Sequence, residues 1–135
     1  MSAPPNFARR FRFLSLLRAS LTLGALYDLG FAVLMMAAPG VPARILNIPL
    51  PGETFYLWIL AVLLAMLAAL YLIAARDTRR YSGIVAVAMA GRLAGGLVFL
   101  AAALMRSDLG GLYPLAAADL AFGLAHAAFW LPIRS

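Results

Sequence analysis

Asp28, Arg92 and Asp119 are ionisable residues set singly inside three separate apolar stretches of a 135-residue chain that is 65% hydrophobic. A charge in hydrocarbon is costly unless it is paired or hydrated, so such residues face the interior of a helix bundle and often mark function. Two carboxylates can do acid and base chemistry. With one guanidinium between them they keep an excess negative charge unless one carboxyl holds a proton, so a shared proton is the natural outcome. The same three residues also suit a purely structural role, an interhelical ion-pair network that fixes packing. The sequence leaves both readings open. His126 is a fourth candidate for this polar site, as a hydrogen-bonded packing residue. Haem ligation by His126 would need a second ligand from a methionine or another chain, and no cofactor is specified.

Other chemistries find no footing. The absence of cysteine removes thiolate catalysis, disulfides and zinc-thiolate sites. There is no metal-ligand cluster, no glycine-rich phosphate loop and no Ser-His-Asp set, and the only glutamate is Glu53. The formal charge of +6 comes entirely from arginine. These arginines stand at the ends of apolar runs, a pattern of topogenic charge at anionic headgroups instead of nucleic-acid binding.

Four apolar segments must position the candidates, at residues 15–38, 54–75, 82–105 and 114–131. Each approaches or exceeds the roughly 20 residues that cross about 30 Å of hydrocarbon. The expected fold is therefore all-α, a single-domain integral membrane bundle of four helices over residues 1–135. Before the first span, Phe7, Phe11 and Leu14 share one helical face and Arg9, Arg10 and Arg12 lie largely off it. Arg9-Arg10 does not read as a cleaved export signal, because Arg18 interrupts the apolar region that follows. The connection 39–53 carries four prolines, which forbid a continuous helix and suggest an interfacial turn or lid with Pro42 in the first turn of a short helix.

Counting arginines by side gives eight (9, 10, 12, 18, 76, 79, 80 and 134) against two (44 and 106), which puts both termini in the cytoplasm. At 1.5 Å per residue, Asp119, Arg92 and Asp28 then lie roughly 18, 15 and 20 Å from the cytoplasmic ends of their spans, in one layer. Small and polar residues share their faces: Ser20 and Gly24 with Asp28, and Ala116, Gly123, His126 and Ala127 with Asp119. Gly91 and Gly95 bracket Arg92 in a pattern that lets helix backbones approach closely. The second span has no charge between Thr54 and Ala75 and is expected to be the most lipid-exposed. Tyr56, Trp58, Tyr71 and Trp130 are placed in the aromatic belts, and Ser82 as an N-cap for the third span. Asp28-Leu-Gly-Phe and Asp119-Leu-Ala-Phe form a faint internal echo.

Asp28-Leu-Gly-Phe, the Pro39-Gly loop, the run from Tyr71 through Arg76-Asp-Thr-Arg-Arg80 and Gly91-Arg92 together resemble the small four-helix bacterial membrane proteins of the broad DoxX-like type. The resemblance implies a multi-pass bacterial inner-membrane protein, and some members of that assortment are accessory subunits of membrane oxidoreductases, with a quinone-linked role. It carries over no catalytic residue. The sequence is thus expected to encode a non-enzymatic accessory subunit or a lipid- or hydrophobic-ligand-binding helper, with the bilayer and a larger membrane complex or homo-oligomer as partners. The alternatives are a proton-coupled oligomeric carrier and a membrane enzyme acting on an isoprenoid, sterol or quinone.

Overall fold

A computed structural model describes residues 5–134, with side chains from Ala8 onward. Phe7, expected on the apolar face of the first helix, lies outside the described side chains. The elements are α1 (Pro5–Ala37), α2 (Gly40–Leu46), α3 (Phe55–Arg76), α4 (Ser82–Met105), a 3-10 helix (Ser107–Leu112) and α5 (Tyr113–Arg134). No strand occurs among the described residues. Four of the helices are long and apolar enough to cross a membrane, as in a multi-pass membrane protein.

α1 differs most from expectation, because the arginine-bearing lead and the first span are one uninterrupted helix of 33 residues. The lead contains no glycine and no proline after Pro5, so nothing breaks the i to i−4 ladder before Pro39. α5 likewise outruns the expected fourth span and includes Pro132. That proline sits in the last turn, where its missing N–H forfeits a single backbone bond.

The prolines of the 39–53 connection do confine its helix to a short one. Pro42 lies in the first turn of α2, where a backbone N–H has no intrahelical partner to lose. Asn47 ends the helix in the left-handed conformation (φ 49°, ψ 49°), one that asparagine tolerates better than most residues. The 3-10 helix before α5 was not foreseen. Gly111 within it lies so close to α2 that a Cβ there would overlap the Leu46 carbonyl oxygen. α2 and the 3-10 helix therefore meet backbone to backbone and form a cap over one end of the bundle. At the opposite end the first turns of α1 and the last turn of α5 converge, and Arg10 donates to the Ile133 carbonyl at 3.4 Å.

Between membrane helices, apolar surface gains nothing over lipid, so close backbone approach carries the packing. The glycines that bring backbones together are Gly96 and Gly123; of the expected pair, Gly95 faces α5 at the Asp119 side chain, where a Cβ would lie 3.2 Å from Oδ2. A Cβ on Gly96 would come within 2.7 Å of Leu120, and one on Gly123 within 2.7 Å of Leu93, so each helix of the α4–α5 pair seats a leucine against the other's glycine. A Cβ on Gly91 would meet nothing. α3, expected to be the most lipid-exposed span, shares that place with α4, the two being equally the least buried of the four; the inward face of α3 is made of small residues (Ala61, Ala68, Ala74) and Tyr71.

Two local expectations also change. Ser82 is the first residue of α4 and makes no capping hydrogen bond, whereas Asp77 Oδ1 accepts from the Arg79 and Arg80 amides and closes the hairpin. Those amides also hold the Asp77 carboxyl below the usual carboxylate range, the Arg80 N–H being the largest cause. Tyr71 and Trp130 are buried at 3% and 5% exposure, not set in an interfacial belt, while Tyr56 and Trp58 are exposed.

Candidate functional site

The structure brings Asp28, Arg92 and Asp119 together. Asp28 is one helical turn beyond Gly24 on α1, so a single guanidinium arriving from α4 reaches both. Arg92 Nη2 donates to the Gly24 carbonyl at 3.1 Å and lies 2.7 Å from Asp28 Oδ1. Arg92 Nη1 donates to Asp119 Oδ1 of α5 at 2.5 Å. Asp28 is 1% exposed, Arg92 6% and Asp119 8%. The echoing Asp-Leu-x-Phe segments thus supply the two carboxylates to one arginine from antiparallel helices.

Three rings enclose the guanidinium. Its central carbon lies 5.3 Å from the Tyr27 and Phe122 ring centres and 5.4 Å from that of Tyr71, so the planar cation is bound by π faces as well as by carboxylates. Sequence reasoning missed this aromatic box. Tyr27 adjoins Asp28 and Phe122 follows Asp119 by three residues, which is a usable local signal, but Tyr71 comes from a helix with no charge near it.

The polar groups are not all satisfied. The Asp28–Arg92 contact is close but off the hydrogen-bond axis, leaving both Asp28 carboxylate oxygens and Arg92 Nε without a hydrogen-bond partner among the described residues. Buried polar groups are nearly always paired, so such a cluster calls for a further partner. A cavity of about 110 Å³ adjoins it, floored by Asp28, Arg92, Asp119 and Tyr27 and walled by apolar side chains that include Phe31, Leu60, Phe99 and Leu115. Along their helices all four wall residues lie on the α2 side of the charged layer, so the cavity runs from the cluster towards the cap. About 30 Å³ is one water's share of liquid volume, so the space holds a few waters or a compact organic group.

His126 is not a member of this cluster. It lies two turns from Asp119 towards the termini, is fully buried, and packs its ring 6.2 Å from Tyr71 and 6.3 Å from Phe122. Neither imidazole nitrogen meets hydrogen-bond geometry with a partner, although the Ser20 backbone is beside it. It contacts the same rings that enclose Arg92 and so backs the site from behind. Ala127 is only half-buried, and Trp130 continues the inward face instead. No group of three or more histidine, cysteine or acidic side chains able to hold a metal occurs among the described residues.

No family model, curated protein or solved structure matches this chain.

Proposed function

We propose that this protein is a non-enzymatic bacterial inner-membrane protein that holds a small amphipathic molecule, its polar end on the Asp28–Arg92–Asp119 cluster and its apolar body in the bundle beneath the cap. The observation that carries the reading is that Asp28 Oδ2 and Arg92 Nε are buried without a hydrogen-bond partner among the described residues beside a cavity with apolar walls. A ligand offering both a hydrogen-bond donor and an acceptor, such as a phenol, quinol or isoprenoid alcohol, would satisfy both kinds of orphan group. Both termini lie in the cytoplasm, an orientation supported by the eight-to-two arginine asymmetry. The role is that of a lipid- or hydrophobic-ligand-binding helper or accessory subunit of the DoxX-like type.

The test is purification in mild detergent followed by mass spectrometry of the small lipophilic molecules that copurify, with Asp28→Asn and the cavity-filling Leu115→Phe in parallel. A defined compound retained by the parent chain and lost from both folded variants supports the proposal. Retention of the same compounds by all three proteins would refute it.

A second reading, a proton-coupled carrier, is favoured by two carboxylates sharing one guanidinium, since the set has an unneutralised charge unless it takes up a proton. Proton flux into liposomes that Asp119→Asn abolishes would select that reading.

A further inference from the structure

A second cavity, of about 620 Å³, opens at the end of the bundle where α1 begins and α5 ends, some 15 Å along α4 from the charged layer at the rise of an α-helix. Three arginines from three different elements line it: Arg10 of α1, Arg79 of the α3–α4 hairpin and Arg134 of α5. Among the described residues no acidic side chain does. The nearest carboxylate in the hairpin, Asp77, is engaged by the Arg79 and Arg80 amides. The start of α4 faces the same space through Ser82 and Gly83, and no side chain caps that helix, so the amides of these two residues and the positive end of its dipole are open to an anion, while the Tyr81, Ile84 and Val85 amides bond to backbone carbonyls.

Thr78 provides the independent observation. It lines the cavity, is 2% exposed, and its hydroxyl has no hydrogen-bond partner among the described residues. A buried hydroxyl left unpaired costs about 1–3 kcal/mol, so its place here is explained by a partner that arrives with the occupant of the cavity. The Arg79 and Arg134 guanidinium groups, two hydroxyls and a helix N-terminus together match the donor-rich shell of a tetrahedral oxyanion, with Arg10, engaged at the Ile133 carbonyl, adding positive charge at the rim. Trp130 and Ile133 form an apolar wall beside it.

We infer that this cavity is a binding site for a phosphate group. The phosphate is carried either by an anionic phospholipid headgroup or by a water-soluble phosphate ester. The site is separate from the Asp28–Arg92–Asp119 cluster and does not depend on what that cluster binds.

The test uses the purified full chain in non-ionic detergent. Thermal unfolding is followed while sodium phosphate, glycerol phosphate or phosphatidylglycerol is titrated in, with sodium chloride of equal ionic strength as the control for the soluble probes and phosphatidylcholine for the lipid. A saturable rise in melting temperature with a phosphate probe, larger than with its control, is expected. Thr78→Val and Arg134→Gln should each weaken the apparent affinity about tenfold, the value of one hydrogen bond to a charged group. Arg44→Gln, an exposed change on α2 at the other end of the bundle, should leave it unchanged. Protection by phosphatidylglycerol alone identifies a lipid headgroup as the source, and protection by the soluble esters identifies a free phosphate compound. A melting temperature that rises no further with any phosphate probe than with sodium chloride or phosphatidylcholine, or an affinity untouched in both variants, overturns the inference. Thr78→Val is nearly isosteric and Arg134 is exposed, so at least one variant should retain its fold, which circular dichroism checks.

Discussion

Replacing Arg92 by leucine tests the central cluster most directly, because so many groups depend on that one side chain. Its guanidinium is the cationic partner of two buried carboxylates, a donor to the Gly24 carbonyl and the filling of a three-ring box. Removing one partner of a buried ion pair costs about 3–5 kcal/mol, chiefly because the remaining charge is stranded. Two carboxylates are stranded here, so the upper part of that range is expected for Arg92→Leu. Asp119→Asn keeps the shape but loses a short charge-assisted hydrogen bond, for about 1.5–3 kcal/mol. In the double variant there is no longer a charge at position 119 to strand. Its loss should therefore fall short of the sum of the single losses by about 1–3 kcal/mol, within the range of direct couplings. The assay is equilibrium unfolding in mixed micelles for the parent, both single variants and the double. Additivity within about 0.5 kcal/mol would show that the residues do not interact energetically and would remove the basis for a central site.

The remaining predictions address packing, topology and pH. Gly96→Ala and Gly123→Ala should each lose about 1–3 kcal/mol by overpacking against Leu120 and Leu93, while Gly91→Ala should be neutral or slightly stabilising in the same unfolding assay. Equal losses at Gly91 and Gly96 would contradict the helix register. The chain contains no cysteine, so single cysteines report topology cleanly: one at exposed Arg80 should be shielded from an impermeant thiol reagent in intact cells, and one at exposed Asn47 should label. Thr78, although in the same hairpin, is too buried to serve as a probe. Asp77 titrates lower when folded than its ordinary value of 3.8, so its stabilising effect is present above that pH and is lost as pH falls through the lowered value. Asp77→Asn should therefore lower the melting temperature slightly at neutral pH, change little at acid pH where the carboxyl is already protonated, and so flatten the acid-side drop below about pH 4. Gly111→Ala should separate the 3-10 helix from α2, and labelling at Asn47 should become faster as the cap loosens.

The sequence by itself determined the four helices and the common depth of the three charges, for reasons that are local. Apolar length sets a span, proline at 39, 42, 49 and 51 interrupts it, and a fixed rise per residue converts position into depth. The third segment begins and ends where expected, at Ser82 and Met105, because the charged hairpin and Arg106 bound it abruptly. Where the flanking residues are also helix formers, as before residue 15, composition gave no stop and the helix ran on, whereas α5 ran on through Pro132 because a proline in the last turn forfeits only one backbone bond.

Only the tertiary structure decided which face each helix shows to which neighbour. Gly91, Gly95 and Gly96 are alike in sequence, yet only Gly96 faces Leu120, because helix rotation is fixed by the whole interface and a step of one residue turns a side chain by about 100°. For the same reason Tyr71 and Trp130 read as interfacial from their distance to the span ends but point inward, Tyr71 onto Arg92. The choice of Asp77 over Ser82 as the hydrogen-bonding residue of the hairpin depended on backbone geometry that residue type does not specify. The two cavities belong to this class as well. Each gathers residues from three or more elements, so neither leaves a continuous trace in the chain, and each exists only because side chains on separate helices stop short of filling the space between them.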